Sequence, residues 1–533
     1  MSISDRTTKN MRAAILFSLT AIGFFSSAVN AQITPYQRPK PIKPNGAGVF
    51  FDKTLHNAKA WDGREAGDYS LKFKINGIKV GDTVYLADYH LDGKYLRDTT
   101  VVDKKGIADF TGKQKLQRGM YLFVLPQKRG FFEFIVDDDQ NFLITSDTSF
   151  YEGDYYSKMK ITGSDQNQGF LDYQLGKSRI VEQIIKIDDQ LKKDTTKATK
   201  DLLGKERTAL MEKKNNYDAD YIKAHPDHIL SRFLYAMVDA DFPTELPTKA
   251  DGTKDSTYPY RYYRAHYWDH VDLGEDALVR MPVNILKQKL DIYFDKVIIS
   301  DADTCIQECN MLMKKSENTI EVEKYIIWYL TNRFETSNIM GLDRVFIHMA
   351  FESYCKGKAW WADSGTIAKM CEHAVDMNET VIGRTAPALE LQDSKGEWVQ
   401  TNEIPASYTI LIFWDPTCGH CREVMPKLAK VYEENKAKGW KVIALHSADK
   451  GKEFDEYYKE HPESQPFLHL IRGTVRSQYW ADQLQRYYVI ASPTIFVLDQ
   501  NKKILANRID VDKLADFIDY MDKHKNDKAN GQF

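Results

Sequence analysis

The hydrophobic pattern of this 533-residue chain changes its period twice along its length. Residues 66–164 alternate apolar and polar side chains between frequent turn signals, which is typical of an antiparallel β sandwich or barrel. Residues 165–382 place apolar side chains three and four positions apart, as amphipathic helices do. Residues 383–533 alternate strand-like and helix-like segments and end in a β-β-α pattern. We therefore expect a multidomain protein with an N-terminal all-β region, a central α-helical region and a C-terminal α/β domain with a mixed sheet.

The first 31 residues have the order of a secretory signal peptide: basic residues, an apolar run, and small residues ending at Ala31. An apolar run of about twelve residues is too short to cross roughly 30 Å of hydrocarbon, which argues against the alternative of a transmembrane anchor. We expect cleavage after Ala31 and export, to the periplasm in a Gram-negative cell. Residues 32–65 would form an extended lead, and no later segment of the mature chain predicts a membrane span.

Charge excludes some classes of partner. A formal net charge of −3 gives neither the basic footprint of a nucleic-acid-binding protein nor a polybasic membrane patch. The highly charged residues 179–218 are predicted to be a solvated helix face. The aromatic-rich residues 258–268 could form a binding surface, although packing inside the core or between domains explains them better.

A pair of cysteines lies between a strand-like segment and a helical one near the C-terminus. Cys418 and Cys421, separated by Gly419 and His420, follow the apolar residues 408–414. At a helix N-terminus, unpaired N–H groups and the helix dipole would stabilise a Cys418 thiolate, and Cys421 would lie one turn later. The same spacing can hold zinc, but a structural zinc site uses four ligands and no second C-x-x-C is present. We expect a redox dithiol and neither a metal nor another cofactor.

Several motifs in this region carry a family resemblance. The motifs are Gly383-Arg384-Thr385-Ala386-Pro387, Phe413-Trp414, Cys418-Gly419-His420-Cys421, Pro426 and Ser492-Pro493-Thr494. With these motifs the C-terminal region resembles the thioredoxin fold, in particular the TlpA/ResA-like branch beside the AhpC/TSA superfamily. The β and helical regions resemble, more loosely, N-terminal domains of unknown function that precede such modules in exported bacterial proteins.

The resemblance implies a thiol-disulfide oxidoreductase. Cys418 would attack a substrate disulfide and Cys421 would resolve the mixed disulfide. As a cation, His420 would stabilise the Cys418 thiolate and make the pair more oxidising, unless it is merely an exposed residue of the motif. Partners would be protein thiols or disulfides and a membrane thiol carrier that donates electrons. The direction of electron flow and the oligomeric state stay open.

The resemblance also implies substrate contacts outside the cysteine motif. Pro493 matches the family's cis-proline, whose loop faces the disulfide and pairs with an extended substrate. Ser492 and Thr494 beside it, and Trp414 before the motif, would contact the substrate.

The chain departs from the family pattern at some positions. Ile412 stands where thioredoxins often bury an acid, and Val424 where the TlpA/ResA-like branch often has Glu. Glu423 and Asp415 are the remaining candidates to relay protons to Cys421. A peroxidase would need Thr where Asp415 stands, so thiol peroxidase activity is an alternative with little support. A binding or sensor protein with an accessory thioredoxin domain is another.

Four further cysteines lie between residues 305 and 371. Cys305 and Cys309 would lie on one helix with Cβ atoms about 5–6 Å apart, too far for a disulfide that needs roughly 3.5–4.5 Å. We expect Cys305 and Cys309 to be buried free thiols, and the sequence leaves the state of Cys355 and Cys371 open. Pairing with Cys355 or Cys371, metal binding, or service as an internal redox partner of the Cys418 site are the alternatives.

Overall fold

The structure, a computed structural model, describes residues 34–35, 66–128, 130–147, 156–193, 196–240, 242–243, 245–446, 451–471, 486–489 and 491–524. The predicted signal peptide, and the extended lead apart from two residues, lie outside the described residues. Within the described part of the chain, no helix is long and apolar enough to cross a membrane.

Two β-sheets form the N-terminal region. Their strands are β1 (Thr34–Pro35), β2 (Ala66–Asn76), β3 (Thr83–His90), β4 (Gly93–Val101), β5 (Ala108–Gln114), β6 (Gly119–Val124), β7 (Phe131–Val136), β8 (Asn141–Asp147) and β9 (Lys160–Thr162). One sheet has the order β1-β4-β3-β6-β7 and the other β5-β2-β8-β9. Alternate side chains of both sheets share one apolar core, in which Phe73 lies 4.5 Å from Phe123 between ring centroids. The all-β prediction is confirmed.

The sheets are not wholly antiparallel. Strand β2 pairs with β8 in parallel, and β1 with β4 in parallel, whereas the other recorded pairs of these sheets are antiparallel. A parallel pair needs a long crossover between its strands. Between β2 and β8 the chain passes through β3, β4, β6 and β7 of the other sheet as well as through β5 of their own. Sequence alternation does not reveal which strands pair, so this feature was not predicted.

Helices follow the sheets. Their bounds are α1 (Asp165–Lys193), α2 (Lys197–Ala224), α3 (Ile229–Ala236), α4 (Tyr258–His266), α5 (Ile285–Ile292), α6 (Ala302–Ser316), α7 (Glu321–Glu335), α8 (Asp343–Met349) and α9 (Ser364–Glu379). The charged residues 179–218 lie on the α1 and α2 pair, where apolar residues such as Ile180 and Ile184 are buried and most charged side chains face solvent. In the aromatic segment Tyr263, Tyr267 and Trp268 are buried, which agrees with core packing.

The chain divides into two compact units. Among the described residues, the first unit holds those up to Val297 together with Lys315–Glu323, and the second holds Ile298–Lys314 and the residues from Lys324 onward. The second unit therefore contains both the later helices and the C-terminal sheet. The domain limits expected from the sequence stay a prediction.

Two of the four additional cysteines, whose state the sequence left open, are bonded to each other. Cys355 and Cys371 form a disulfide that joins a short π-helical turn (Ala350–Cys355) to α9. The fold brings their Cα atoms to 5.8 Å, within the range a disulfide spans, so the alternative in which Cys305 or Cys309 pairs with one of them is wrong. Cys305 and Cys309 are buried free thiols on α6, as predicted.

The C-terminal region is a mixed α/β layer, as predicted. Its strands are β10 (Glu390–Asp393), β11 (Trp398–Gln400), β12 (Tyr408–Trp414), β13 (Trp440–His446), β14 (Leu468–Ile471), β15 (Thr494–Asp499) and β16 (Ile504–Asn507), in the order β11-β10-β14-β13-β12-β15-β16. Its helices are α10 (Gly419–Asn435), α11 (Gly451–Glu460) and α12 (Leu514–Lys523). Strands β12, β13 and β14 are parallel, and β15 is antiparallel to β12.

The central strand β12 is buried on both faces. Ile410, Ile412 and Trp414 point into one apolar cluster, and Leu411 and Phe413 into the other. A strand covered on both faces is a rigid base for the segment that leaves its end. That segment carries the cysteine pair.

Candidate dithiol site

The turn between β12 and α10 places Cys418 at the start of a helix. Cys418 is the N-cap residue of α10, in an extended conformation with φ −79° and ψ 119°. The Asp415 side chain braces the turn, since its Oδ1 accepts from the N–H and the hydroxyl of Thr417, both at 2.8 Å. The Cys418 N–H donates to the Asp415 carbonyl at 3.1 Å. Cys418 therefore lies beside the unpaired N–H groups of the first helical turn.

The two thiols of the site are free and differ in exposure. Cys418 is half-buried, whereas Cys421 is completely buried. The pKa of the Cys421 thiol is raised to about 12, chiefly by burial and to a smaller extent by the nearby Cys418 thiol and Asp415 carboxylate, against a lowering by the Asp415 backbone N–H. That N–H lies 3.5 Å from the Cys421 sulfur. The site thus combines one accessible thiol with one that is protected and protonated.

The proline loop meets the accessible thiol. Strand β15 pairs with β12 so that Thr494 lies opposite Phe413, which brings the residues just before β15 to the end of β12. The Ser492–Pro493 peptide bond is cis, and the Ser492 carbonyl oxygen lies 3.5 Å from the Cys418 sulfur. Thr494 donates its hydroxyl to the Ala491 carbonyl at 2.6 Å. The structure therefore brings Ser492, Pro493 and Thr494 together with the cysteine pair.

Trp414 does not lie where the resemblance implied. Its side chain is completely buried, with ring centroids 4.9 Å from Tyr457 and 5.1 Å from Phe454. A side chain without solvent exposure cannot touch a substrate, so the expected substrate contact is wrong. Trp414 is part of the core beneath the site.

His420 lies on the solvent side of the site. Its side chain is 73% exposed, and its Nδ1 lies 3.6 Å from the Glu423 carboxylate, which is 75% exposed. His420, the residue expected to stabilise the Cys418 thiolate, therefore has the acidic side chain of Glu423 as a neighbour. Its influence on the cysteine pair stays a prediction.

The two positions without the family's acids are filled by apolar core residues. Ile412 is completely buried, and Val424 is nearly so. Of the two candidate proton relays, Glu423 faces solvent, and Asp415 has its backbone N–H 3.5 Å from the Cys421 sulfur while its Oδ1 accepts from Thr417. The relay role of either residue stays a prediction.

A chain of buried polar side chains lies behind Trp414 and was not predicted from the sequence. The Tyr458 hydroxyl lies 2.6 Å from His446 Nε2 and 2.8 Å from His469 Nδ1, and His469 Nε2 lies 2.9 Å from the Ser464 carbonyl. Burial lowers the pKa of His446 to about 3 and that of His469 to about 4. The sequence contains no signal that connects His446, at the end of β13, with His469 in β14.

No group of three or more His, Cys, Asp or Glu side chains suited to a metal ion occurs among the residues the structure describes. Within the described part of the chain, Cys418 and Cys421 are therefore not part of a larger group of potential metal ligands. Their surroundings are those of a thiol pair beside a proline loop.

Three family models match successive parts of the chain. Residues 382–507 match the AhpC/TSA family. Residues 69–170 and 195–362 match two domains of unknown function, DUF4369 and DUF5106. The match that carries a known chemistry is thus the one that contains the cysteine pair.

Curated relatives resemble the C-terminal part. The thiol-disulfide oxidoreductase ResA of Bacillus subtilis is 23% identical over 123 residues, which are 23% of this chain and 64% of the relative. The protein of the same name from Halalkalibacterium halodurans is 32% identical over 65 residues, 12% of this chain and 37% of the relative. The chain therefore spans less than two thirds of the length of both.

Solved structures give similar partial matches. A domain described as a possible thiol-disulfide isomerase from Cytophaga hutchinsonii is 32% identical, covers 27% of this chain and 96% of its own, and has a TM-score of 0.25. A thioredoxin-like protein from Bacteroides caccae is 16% identical, covers 52% of this chain and 99% of its own, and has a TM-score of 0.43.

Proposed function

We propose that this chain, whose residues 382–507 match the AhpC/TSA family, is an exported thiol-disulfide oxidoreductase that exchanges disulfides with protein substrates. The observation that carries the proposal is the contrast between the two thiols at the start of α10. One is accessible at the helix N-cap beside the Ser492 carbonyl, and the other is buried. A reversible dithiol needs this division between an attacking and a resolving sulfur.

In the first step the Cys418 thiolate attacks one sulfur of a substrate disulfide. A Cys418–substrate disulfide forms, the substrate S–S bond breaks, and the second substrate sulfur leaves as a thiolate. Cys418 is the N-cap residue of α10, and unpaired N–H groups and the positive end of the helix dipole favour an anion at such a position. Cys421 remains protonated during this step, since burial raises the pKa of its thiol to about 12.

In the second step Cys421 resolves the mixed disulfide. Its proton passes to the departing substrate side, its sulfur bonds to Cys418, and the remaining substrate sulfur leaves. The substrate has then gained two electrons, and the Cys418–Cys421 pair has lost them. A dithiol donor, which the resemblance suggests is a membrane thiol carrier, would restore the reduced pair.

The half-buried Ser492-Pro493-Thr494 segment supports a protein or peptide substrate. Its backbone lies beside the attacking sulfur, and an extended peptide can pair with such a backbone by strand addition. Side-chain recognition would then add to a contact that any extended segment can make. We assign substrate contact to Ser492, Pro493 and Thr494.

His420 bears on the direction of electron flow. A cation beside the Cys418 thiolate stabilises the reduced pair and so raises its reduction potential. Known dithiol proteins run from about −270 mV for thioredoxin to about −180 mV for protein disulfide isomerase, a gap of about 4 kcal/mol. We infer that the Gly-His dipeptide between the cysteines raises the reduction potential of this pair above the strongly reducing end of that range.

Export forms the last part of the proposal. The charged, apolar and small-residue order of the first 31 residues is that of a signal peptide, with cleavage after Ala31. The mature chain would work in the periplasm of a Gram-negative cell.

An insulin-reduction assay tests the activity. With dithiothreitol as electron donor, we expect the wild type to accelerate insulin precipitation and Cys418→Ser to lose the acceleration. Cys305→Ala is the matched control, because it removes a buried free thiol elsewhere and should leave turnover unchanged. Absence of cysteine-dependent turnover in the wild type would refute the enzyme proposal and favour a binding or sensor protein.

A further inference from the structure

Helix α9 contacts the segment that leads to Ser492, although it precedes the residues that match the AhpC/TSA family. We propose that α9 is a clamp that holds this segment in the position a protein disulfide requires, with His373 and Glu379 as positioning residues. The inference rests on the proposed function and extends its site to the central helices.

Two side-chain contacts join the helix to the segment. Tyr488 Oη lies 3.1 Å from His373 Nδ1, and the two ring centroids are 5.2 Å apart. Six positions further along α9, the Glu379 carboxylate accepts from Arg486 Nε at 2.8 Å. Contacts at two points of a helix restrict both the position and the direction of the segment that they hold.

The residue between these two contacts is anchored in the core. Tyr487 is almost completely buried, and its hydroxyl donates to the Pro387 carbonyl at 2.7 Å. Its ring lies 5.2 Å from both Phe413 and Phe496 between centroids. Residues 486–488 are thus held on one side by the sheet and on the other by α9.

The helix is itself fixed, as a clamp must be. Cys371, two residues before His373, is bonded to Cys355, and Ala374 and Met377 on α9 are buried. His373 also lies 3.5 Å from the Glu335 carboxylate at the end of α7. A helix tied by a covalent bond, by core packing and by a further polar contact can transmit its position to the segment it touches.

The segment matters because it leads directly to the attacking thiol. Four residues after Tyr488, the Ser492 carbonyl lies 3.5 Å from the Cys418 sulfur. A peptide that pairs with the Ser492 backbone needs this carbonyl in place, whereas a small aromatic disulfide needs only the Cys418 thiolate. The clamp therefore governs the affinity for protein substrates and leaves the intrinsic reactivity of Cys418 unchanged.

Steady-state kinetics of His373→Ala and Glu379→Ala test the clamp. The substrates are a disulfide-bonded peptide and dithionitrobenzoate, a small aromatic disulfide. For the peptide we expect KM to rise about three- to tenfold in His373→Ala, the loss that one hydrogen bond gives, and up to about fivefold in Glu379→Ala, whose ion pair is exposed, with kcat unchanged in both. The rate with dithionitrobenzoate should change less than about twofold.

Two further variants separate positioning from a general loss of structure. Glu372→Ala removes an exposed carboxylate from the same helix and should leave both substrates unaffected. His373→Asn keeps a polar atom near the place of Nδ1 and should restore most of the lost affinity. An unchanged peptide KM in His373→Ala and Glu379→Ala, or a rise of equal size in Glu372→Ala, would overturn the proposal.

Hydrogen–deuterium exchange gives a readout that does not depend on activity. The backbone amides of residues 486–489 should exchange at least about threefold faster in His373→Ala and Glu379→Ala than in the wild type or Glu372→Ala. Equal exchange in all four proteins would refute the clamp. A wild type that fails to turn over either substrate would refute the proposed function, and the exchange result would still decide the clamp.

Discussion

Cys421 lies completely inside the protein, and this burial raises the pKa of its thiol to about 12. At pH 8 about one molecule in ten thousand would carry the Cys421 thiolate, which is the reactive form. We therefore expect iodoacetamide to alkylate Cys418 in the native reduced protein at least about a hundredfold faster than it alkylates Cys421. Mass spectrometry of the alkylated peptides measures both rates.

The control for this prediction is the unfolded chain, in which guanidinium removes the burial. Both cysteines should then react at similar rates. Equal reactivity in the native protein would contradict the division of roles between the two thiols.

Trp414 is a core residue, so its substitution should affect stability. Trp414→Ala removes a completely buried indole and should reduce the free energy of unfolding by about 3–5 kcal/mol. Trp398→Ala, at a side chain that is 49% exposed, should cost far less, about 1 kcal/mol or below. Denaturant titration followed by circular dichroism compares them. A stable Trp414→Ala protein with a raised KM for protein disulfides would restore the substrate-contact role.

At the residue scale, the sequence identified the residues that meet at the site but not their exposure. Cys418, Cys421 and the Ser492–Pro493 loop could be found, because each belongs to a short motif. The burial of Trp414 could not, since every residue of β12 is buried and alternation does not mark a solvent face in such a strand.

The His446, Tyr458 and His469 side chains join the elements β13, α11 and β14 behind the site. Burial lowers the pKa of both histidines, to about 3 and about 4, so the native protein holds them neutral at pH values where the unfolded chain, near 6.5, is protonated. Unfolding at pH 5 should therefore take up about two protons from this pair. These two histidines therefore leave the free energy of unfolding undiminished above about pH 6.5 and lower it progressively as the pH falls toward 3.

Denaturant titrations at pH 5 and 6 test this dependence. His469→Gln should reduce the dependence of the unfolding free energy on pH by about 1.4 kcal/mol per pH unit, the contribution of one proton. His420→Gln, which removes a histidine with a 73% exposed side chain, is the matched control. Parallel pH profiles for the wild type and His469→Gln would show that His469 is charged in the native state.

The disulfide between the π-helical turn and α9 should stabilise the second unit. It joins residues 16 positions apart, and closing a loop of that length in the unfolded chain corresponds to about 3 kcal/mol. Cys355→Ser with Cys371→Ser should lower the free energy of unfolding by about that amount in a Cys418→Ser background, where the active-site pair cannot form. Dithiothreitol should destabilise the parent protein and leave the double variant unchanged. Equal stability of the two would contradict a formed disulfide.

At the element scale, helix geometry ruled out one cysteine pair and could not find the other. Cys305 and Cys309 share α6 and remain free, as their spacing indicated. The Cys355–Cys371 bond depends on how two helical segments pack, and a single sequence does not contain that distance. The same reason hides the parallel pairing of β2 with β8.

At the scale of the whole molecule, hydrophobic period predicted the succession of structures well. Apolar residues at every second position predicted the β region that holds β2–β9, and apolar residues with a period of 3.6 predicted the helices α1–α9. The alternation of the two periods predicted the C-terminal mixed sheet. The hydrophobic period could not predict that the later helices and that sheet belong to one compact unit. Grouping depends on contacts between distant residues, such as Asn507 donating to the buried Asp343 carboxylate at 2.6 Å.

The reduction potential of the Cys418–Cys421 pair tests the central claim most directly. The full-length protein is equilibrated in glutathione buffers of graded potential, alkylated, and digested for mass spectrometry. The account predicts reversible conversion between two free thiols and a Cys418–Cys421 disulfide, with a midpoint between about −270 and −180 mV. A pair that stays reduced, or stays oxidised, across the whole series would contradict a redox dithiol at this site.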